Sequence, residues 1–388
     1  MEVSAIIAEY NPFHNGHKYH IEETRRRGAT HIIAVMSGNT VQRGDISVFD
    51  KHFRAKCAAE NGADLVVELP YPFSCSCAEI FAKGAVSIIT RLGVVDTLSF
   101  GVETDNSFLL KNAAEASEAL REDEEIKRLV SSGLSYPKAF ENACRIRFGD
   151  ETAECFTTPN NTLAIEYIKA LSEEKSNIVP MAIERKNVGH DEMNMENGFA
   201  SASMTRQLLA QGESTENILP YKLLKETPHF LKLMDKAVLI SLSSKSVEEL
   251  EQVPDISHEA AARIFSALNN GADSVDSLIE AVKCKSLTRS RLARSVLNAY
   301  FGLKGSDLAL PPYCRILAFN QKGTELISKI KTNGSIDIST SLTELSRISP
   351  AHKRLAELDN LTSRFQALCC EEKLPLINEY SKMVTIIR

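Results

Sequence analysis

An apolar run, Val3–Ala8, passes directly into Glu-Tyr-Asn-Pro-Phe-His-Asn-Gly-His-Lys-Tyr-His at residues 9–20. The run reads as a buried parallel strand. Pro12 and Gly16 then break the chain, and residues 18–27 carry helix-forming side chains. His14, Asn15, Gly16 and His17 therefore fall at a strand-to-helix turn. Such a turn aims free backbone N–H groups and the positive end of a helix dipole outward, a setting suited to a polyphosphate. Two imidazoles three residues apart can donate hydrogen bonds to a phosphate as charge builds on it. The competing reading is a pair of ordinary turn histidines or a metal pair. A metal would require more ligands, and His20 alone adds one nearby candidate, so no metal site is expected.

Similar apolar runs recur at residues 31–36, 64–69, 97–100 and 178–183, with helical stretches between them. That alternation predicts an α/β fold, a Rossmann-like parallel sheet covered by helices. Ligands of open parallel sheets lie beyond the carboxyl ends of the strands. The residues found there are His14 and His17 after the first run, Ser37-Gly38-Asn39 after the second, Pro70 after the third, Gly101 at the fourth and Arg185 after the fifth. Residues 107–150 read as a polar helical insertion. From about residue 220 the strand signal fades into amphipathic helix, so a mainly α-helical C-terminal domain is expected. With 388 residues and 43% apolar content, two domains follow, 1–215 and 216–388.

The apolar runs are too short to span a bilayer, and the first residues lack the basic, apolar, small-residue order of an export signal. A cytoplasmic protein without a membrane partner is expected. Nine cysteines include no C-x-x-C pair, which favours reduced, mostly buried thiols. A net charge of −6 argues against a chain that coats nucleic acid, and DNA is not an expected partner. It leaves room for a local basic patch.

His14-Asn15-Gly16-His17 resembles the H-x-G-H motif of nucleotidyltransferases and class I aminoacyl-tRNA synthetases, which attack the α-phosphate of ATP and expel pyrophosphate. Three further segments sharpen this. They are Met36-Ser37-Gly38-Asn39 with Gln42-Arg43-Gly44, Lys51 and Arg54; Thr158-Pro159-Asn160-Asn161-Thr162-Leu163; and Ile183-Glu184-Arg185 with Gly189-His190-Asp191. Together with residues 63–70 and the basic segment below, they make the whole chain resemble the bacterial tRNA(Met) cytidine acetate ligase family. The resemblance implies a nucleotidyltransferase-like catalytic domain followed by a helical tRNA-binding domain. It also implies ATP contacts along Ile7, Ala8, Glu9, Tyr10, Asn11, Pro12, Phe13, His14, Asn15, Gly16, His17, Lys18, Tyr19 and His20, and at Gly101, one of Asn160 and Asn161, and Arg185. Asn160 is the preferred asparagine.

The residue chemistry agrees with those roles. A glycine at a strand end admits close approach of a nucleobase or ribose, an asparagine offers a donor and an acceptor, and an arginine clamps phosphate. A turn glycine, a helix-capping asparagine and a solvated arginine remain alternatives. Residues 199–206, Phe-Ala-Ser-Ala-Ser-Met-Thr-Arg, resemble the I-S-S-T-x-I-R segment with which related nucleotidyltransferases hold triphosphate at a helix start. Ser201, Ser203 and Arg206 are the candidate contacts there, although a helix cap accounts for the serines equally.

Arg43, Lys51 and Arg54 place three cations near the proposed nucleotide site of an acidic chain. Lys51 is expected to contact a reacting group, and Arg43 and Arg54 an RNA backbone. Lys283, Lys285, Arg289, Arg291 and Arg294 follow without an acidic residue between positions 281 and 306. A basic stripe of that kind suits tRNA phosphates, the alternative being a solvated cationic face. The resemblance implies two steps: acetate attacks the α-phosphate of ATP, with Mg²⁺ masking the leaving pyrophosphate and His14 and His17 stabilising the transfer. The acetyl group then passes to the exocyclic amine of the wobble cytidine of elongator tRNA(Met). A small-metabolite adenylyltransferase would use the same histidines, and a catalytically silent RNA-binding protein could share the fold. The long basic C-terminal segment favours a macromolecular substrate over the first, and the intact histidines oppose the second.

Overall fold

The computed structural model describes residues 1–103, 106–185, 200–224, 226–372 and 374–388. The chain begins as expected with β1 (Val3–Ala8), α1 (Asn15–Arg26) and β2 (His31–Ser37). A small hairpin of β3 (Thr40–Val41) and β4 (Asp45–Ile46) precedes α2 (Lys51–Glu60), β5 (Leu65–Leu69), α3 (Ala78–Leu92) and β6 (Thr97–Val102). The insertion folds as α4 (Ser107–Ala119), α5 (Glu124–Ser131), α6 (Tyr136–Phe148) and α7 (Asp150–Glu154), closed around Leu120, Ile126 and Phe140. Then come α8 (Pro159–Glu173), β7 (Val179–Glu184) and α9 (Ala202–Gln211).

β5, β2, β1, β6 and β7 lie side by side and parallel. The order of connection reverses at β1, so a crevice opens beyond the carboxyl ends of β1 and β6, where such sheets bind ligands. Alternate residues of each strand enter opposite cores, as a period of two requires. Ile7, Ile33, Val35 and Val67 pack with α3 and α8, while Ile6, Ile32, Ala34 and Val66 pack with α1 and α2. Burial on both faces explains why these strands read as unbroken apolar runs.

The expected helical segment is present as α10 (Asp235–Ser243), α11 (Val247–Glu251), α12 (His258–Asn269), α13 (Val275–Val282) and α14 (Arg289–Phe301), around a core that also takes in Ile46, Tyr71 and Cys75. The boundary at residue 216 nevertheless does not separate sheet from helices. β8 (Tyr313–Phe319) returns to the main sheet antiparallel to β5. α15 (Gln321–Asn333), β9 (Asp337–Ser339), α16 (Leu342–Leu345), α17 (Pro350–Leu368) and β10 (Thr385–Ile386) complete the chain, β9 and β10 pairing with β8. The sequence reading missed β8 because Arg315 interrupts its apolar pattern. That arginine is buried, with its charge met by Asp359 at 3.0 Å and Glu379 at 2.6 Å. No helix among the described residues is long and apolar enough to cross a membrane.

Candidate active site

The turn after β1 is organised by its own histidines. His14 caps α1, and its Nδ1 accepts the Gly16 N–H at 3.0 Å. His17 Nδ1 accepts the His14 N–H at 3.2 Å, and the two rings stack with centroids 3.8 Å apart. A neutral imidazole carries one proton; with Nδ1 accepting in both rings, each keeps its proton on Nε2 and is a hydrogen-bond donor there. Burial, then the charges of Arg185 and Arg206, push the His14 pKa down to about 3. Burial, His14, Arg185 and His20 hold His17 well below the imidazole range, so both rings are neutral donors at pH 7. His20 is fixed to β6 by a 2.9 Å bond between Nε2 and Ser99 Oγ, and burial followed by Arg185 and Arg27 lowers its pKa to about 4.

These rings line a cleft of about 440 Å³ between the ends of β1, β6 and β7 and the start of α9. Of residues 7–20, Ile7, Ala8, Glu9, Asn11, His14, Gly16, His17, Tyr19 and His20 form its wall. Tyr10, Pro12, Phe13, Asn15 and Lys18 do not. Tyr10 and Phe13 are buried instead, packing edge-on and tilted against the His17 ring at 4.9 and 5.6 Å. Asn15 Nδ2 donates to the Asn217 carbonyl at 3.3 Å.

Gly101, Asn160 and Arg185 meet on the opposite wall. Arg185 Nη1 donates to Asn160 Oδ1 at 3.1 Å, and a Cβ on Gly101 would lie 3.3 Å from Arg185 Cγ, which the arginine stem would have to vacate. Asn160 in turn donates to Glu103, whose second oxygen accepts the Asn161 N–H at 3.0 Å. Asn161 points inward and accepts from the Glu103 N–H at 3.0 Å. Glu103 therefore sets Asn160, and Asn160 sets Arg185. The sequence reading missed Glu103, because a single carboxylate carries no motif.

α9 closes the third side. Ser201 caps it by accepting the Met204 N–H at 3.1 Å, as the alternative reading had it, and also lines the cleft with Ser203. Arg206 reaches back to the Asn11 carbonyl at 2.8 Å and to Ser203 Oγ at 3.2 Å. Two helix N-termini, α1 and α9, thus open onto one cleft between two guanidinium groups, an arrangement that favours a polyanion. Phe199, with Gly189, His190 and Asp191, lies outside the described residues.

Two expected cations belong elsewhere. Lys51 is buried, not in the cleft, and its ammonium meets Glu68 at 2.7 Å and Asp359 at 2.5 Å. Burial opposes that charge, but Asp359, Glu379 and Glu68 outweigh it and raise the pKa. A lysine so enclosed cannot touch a reacting group. Arg54 is likewise buried and cannot meet an RNA backbone. It donates to the carbonyls of Phe49 at 2.9 Å, Glu9 at 2.6 Å, Ser37 at 3.1 Å and Gly38, tying together the ends of β1 and β2.

Arg43 does line the cleft mouth, exposed on the β3–β4 hairpin. On α14 and the loop that joins it to α13 the cations are partly spoken for. Lys283 pairs with Glu280 at 3.4 Å, Arg289 with Asp276 at 2.6 Å and Glu280 at 2.7 Å, and Arg291 with Asp255 at 2.9 Å. Arg294 donates to the Gln42 carbonyl at 3.1 Å, which docks α14 onto the hairpin. Lys285 makes no ion pair among the described residues.

A family model described as HIGH Nucleotidyl Transferase matches residues 1–378. The tRNA(Met) cytidine acetate ligase of Clostridium kluyveri is 39% identical over 370 residues, covering 88% of this chain and 90% of its own. That of Halothermothrix orenii is 36% identical, covering 88% and 87%. The fold superposes on the crystal structure of Thermotoga maritima TmcAL bound with α-thio ATP with a TM-score of 0.89, at 28% identity over 100% of this chain and 99% of that one. The apo form of the same protein gives 0.91, at 27% identity over the full length of both chains. This chain belongs to the HIGH nucleotidyltransferase family, among the tRNA(Met) cytidine acetate ligases.

Proposed function

We propose that the chain joins acetate to AMP at the expense of ATP, and passes the acetyl group to the exocyclic amine of the wobble cytidine in elongator tRNA(Met). The observation that carries this reading is the stacked, neutral His14–His17 pair, both Nε2–H donors at one cleft with Arg185 and Arg206. Attack of an acetate oxygen on the α-phosphorus gathers negative charge on the phosphate oxygens and on the departing pyrophosphate. Neutral donors and fixed cations in a walled cleft stabilise that charge more in the transition state than in the ground state. Acetate alone is a poor acyl donor; as acetyl-adenylate it leaves behind a phosphate ester, and its carbonyl becomes electrophilic.

Among the described residues no group of three or more His, Cys, Asp or Glu side chains could hold a metal. A Mg²⁺ ion would therefore enter on the nucleotide's own phosphates, as this ion commonly does. For the acceptor, the supporting features are Arg43 at the cleft mouth and the α13–α14 cations joined to it through Gln42 and Arg294. Labelled pyrophosphate should exchange into ATP with acetate and without RNA, and labelled acetate should appear on tRNA once tRNA is added. Exchange driven by a phosphorylated metabolite instead of a carboxylate would overturn the assignment.

A further inference from the structure

Four carboxylates line the cleft, Glu9, Asp45, Glu103 and Glu184, and three are accounted for by position. Glu103 gives both oxygens to Asn160 and Asn161. Glu9 accepts the Gln42 N–H at 2.8 Å and so holds the hairpin against the end of β1. Glu184 ends β7 as an exposed side chain. Asp45 differs. Its Oδ1 accepts the N–H of its neighbour Ile46 at 2.8 Å, and the carboxylate makes no ion pair among the described residues.

The hairpin carrying Asp45 lies between the nucleotide wall and the basic helices. Val41 pairs with Asp45, and Gln42, Arg43 and Gly44 form the turn. Gly44, at φ 79°, lies so close to α14 that a Cβ there would come within 2.4 Å of the Arg294 nitrogen. Arg294 holds the turn from outside, while Glu9 holds it from inside. The hairpin thus touches α14 on one side and lines the cleft on the other.

We propose that Asp45 accepts the proton released when the nucleophilic amine takes the acetyl group, an assignment that rests on the acetyl-transfer reading above. The amine nitrogen forms a bond to the carbonyl carbon of acetyl-adenylate. Collapse of the adduct breaks the carbon–oxygen bond to phosphate, and AMP leaves with that electron pair. The nitrogen's surplus proton passes to the Asp45 carboxylate and from there to water, leaving a neutral amide. The charges facing Asp45 suit the task. The side chain stays open to water, yet the cleft walls strip part of its hydration and push its pKa up to about 6, with Ile46 N–H and Arg206 opposing and Asp276 of α13 and Glu9 of β1's end reinforcing. The group is still ionised at neutral pH and a stronger base than an ordinary aspartate.

The test compares two rates on one preparation: acetate-dependent pyrophosphate exchange, and single-turnover acetyl transfer to tRNA from enzyme-bound acetyl-adenylate. Asp45→Asn keeps the shape and the acceptor for Ile46 N–H, and should lower transfer relative to exchange by about 10²-fold or more, the usual size of a general-base effect. Wild-type transfer should fall as pH drops through about 6, and Asp45→Asn should lose that dependence. Asp45→Glu should recover part of the transfer rate. An unchanged ratio of the two rates, a retained pH profile, or equal loss of both activities would overturn the proposal. Wild-type protein without acetate-dependent exchange would instead overturn the acetyl-transfer reading beneath it.

Discussion

A methyl group at position 16 would sit 2.8 Å from His14 Cε1 and 3.0 Å from its Nδ1, so only glycine lets the ring fold back over the start of α1. Gly16→Ala should therefore turn His14 out of its stack without disturbing the sheet. Pyrophosphate exchange should drop by about 10²-fold, the scale of one missing transition-state donor, with the far-ultraviolet spectrum unchanged. Full activity in that variant would contradict the donor geometry. Protonation gives a second test. His14, His17 and His20 titrate lower in the folded protein than the usual imidazole value of 6.5, chiefly through burial. Below about pH 6.5 the unfolded chain binds protons that the folded one refuses, so their contribution to stability is full above that value and lost as pH falls. Urea midpoints of the ligand-free protein should decline from pH 7 to about pH 5, more shallowly when His14 and His17 are both asparagine; identical slopes would remove these residues as the cause. The histidines were legible in the sequence because motif and context coincide. Glu103 and Asp45 were not, since an isolated carboxylate acquires meaning only from what surrounds it.

Among the elements, α14 and the loop that joins it to α13 carry the basic segment, but three of its five cations already face acids. The sequence reading counted charges along the chain and found no acid between residues 281 and 306; Asp276, Glu280 and Asp255 come from the flanks and from the turn before α12. Neutralising all five should weaken tRNA binding while sparing acetyl-adenylate formation, since these helices lie outside the cleft wall. For every phosphate that is no longer neutralised, the slope of log affinity against log salt should become shallower by about 0.7 to 0.9. Lys285 alone should cost more than Arg289 alone, because Arg289 must first release Asp276 and Glu280. Filter binding across a salt series measures both, and an unchanged slope in the five-fold variant would mark the stripe as solvated surface.

At the scale of the whole molecule, the C-terminal segment is built into the catalytic sheet. Lys51 of α2 and Glu68 of β5 meet Arg315 of β8, Asp359 of α17 and Glu379 in one buried ionic cluster. The parallel strands could be read from apolar runs alone; their order in the sheet could not. β8 and this cluster could not, because their charges are silent until folding brings five distant residues together. Removing Lys51 leaves three buried carboxylates to share the single Arg315 guanidinium, so Lys51→Met should destabilise the protein by about 3–5 kcal/mol in urea unfolding. Exchange per folded molecule should change far less. A stable Lys51→Met protein with abolished exchange would restore this lysine to the chemistry.

The central claim is that His14 and His17 together stabilise acetate's attack on ATP, and acetate-dependent pyrophosphate exchange in the wild type, His14→Ala and His17→Ala tests it most directly. The expected result is exchange in the wild type that needs acetate but no RNA, and a fall of about 10²-fold or more in each folded variant. Exchange at wild-type rates in both variants would contradict it.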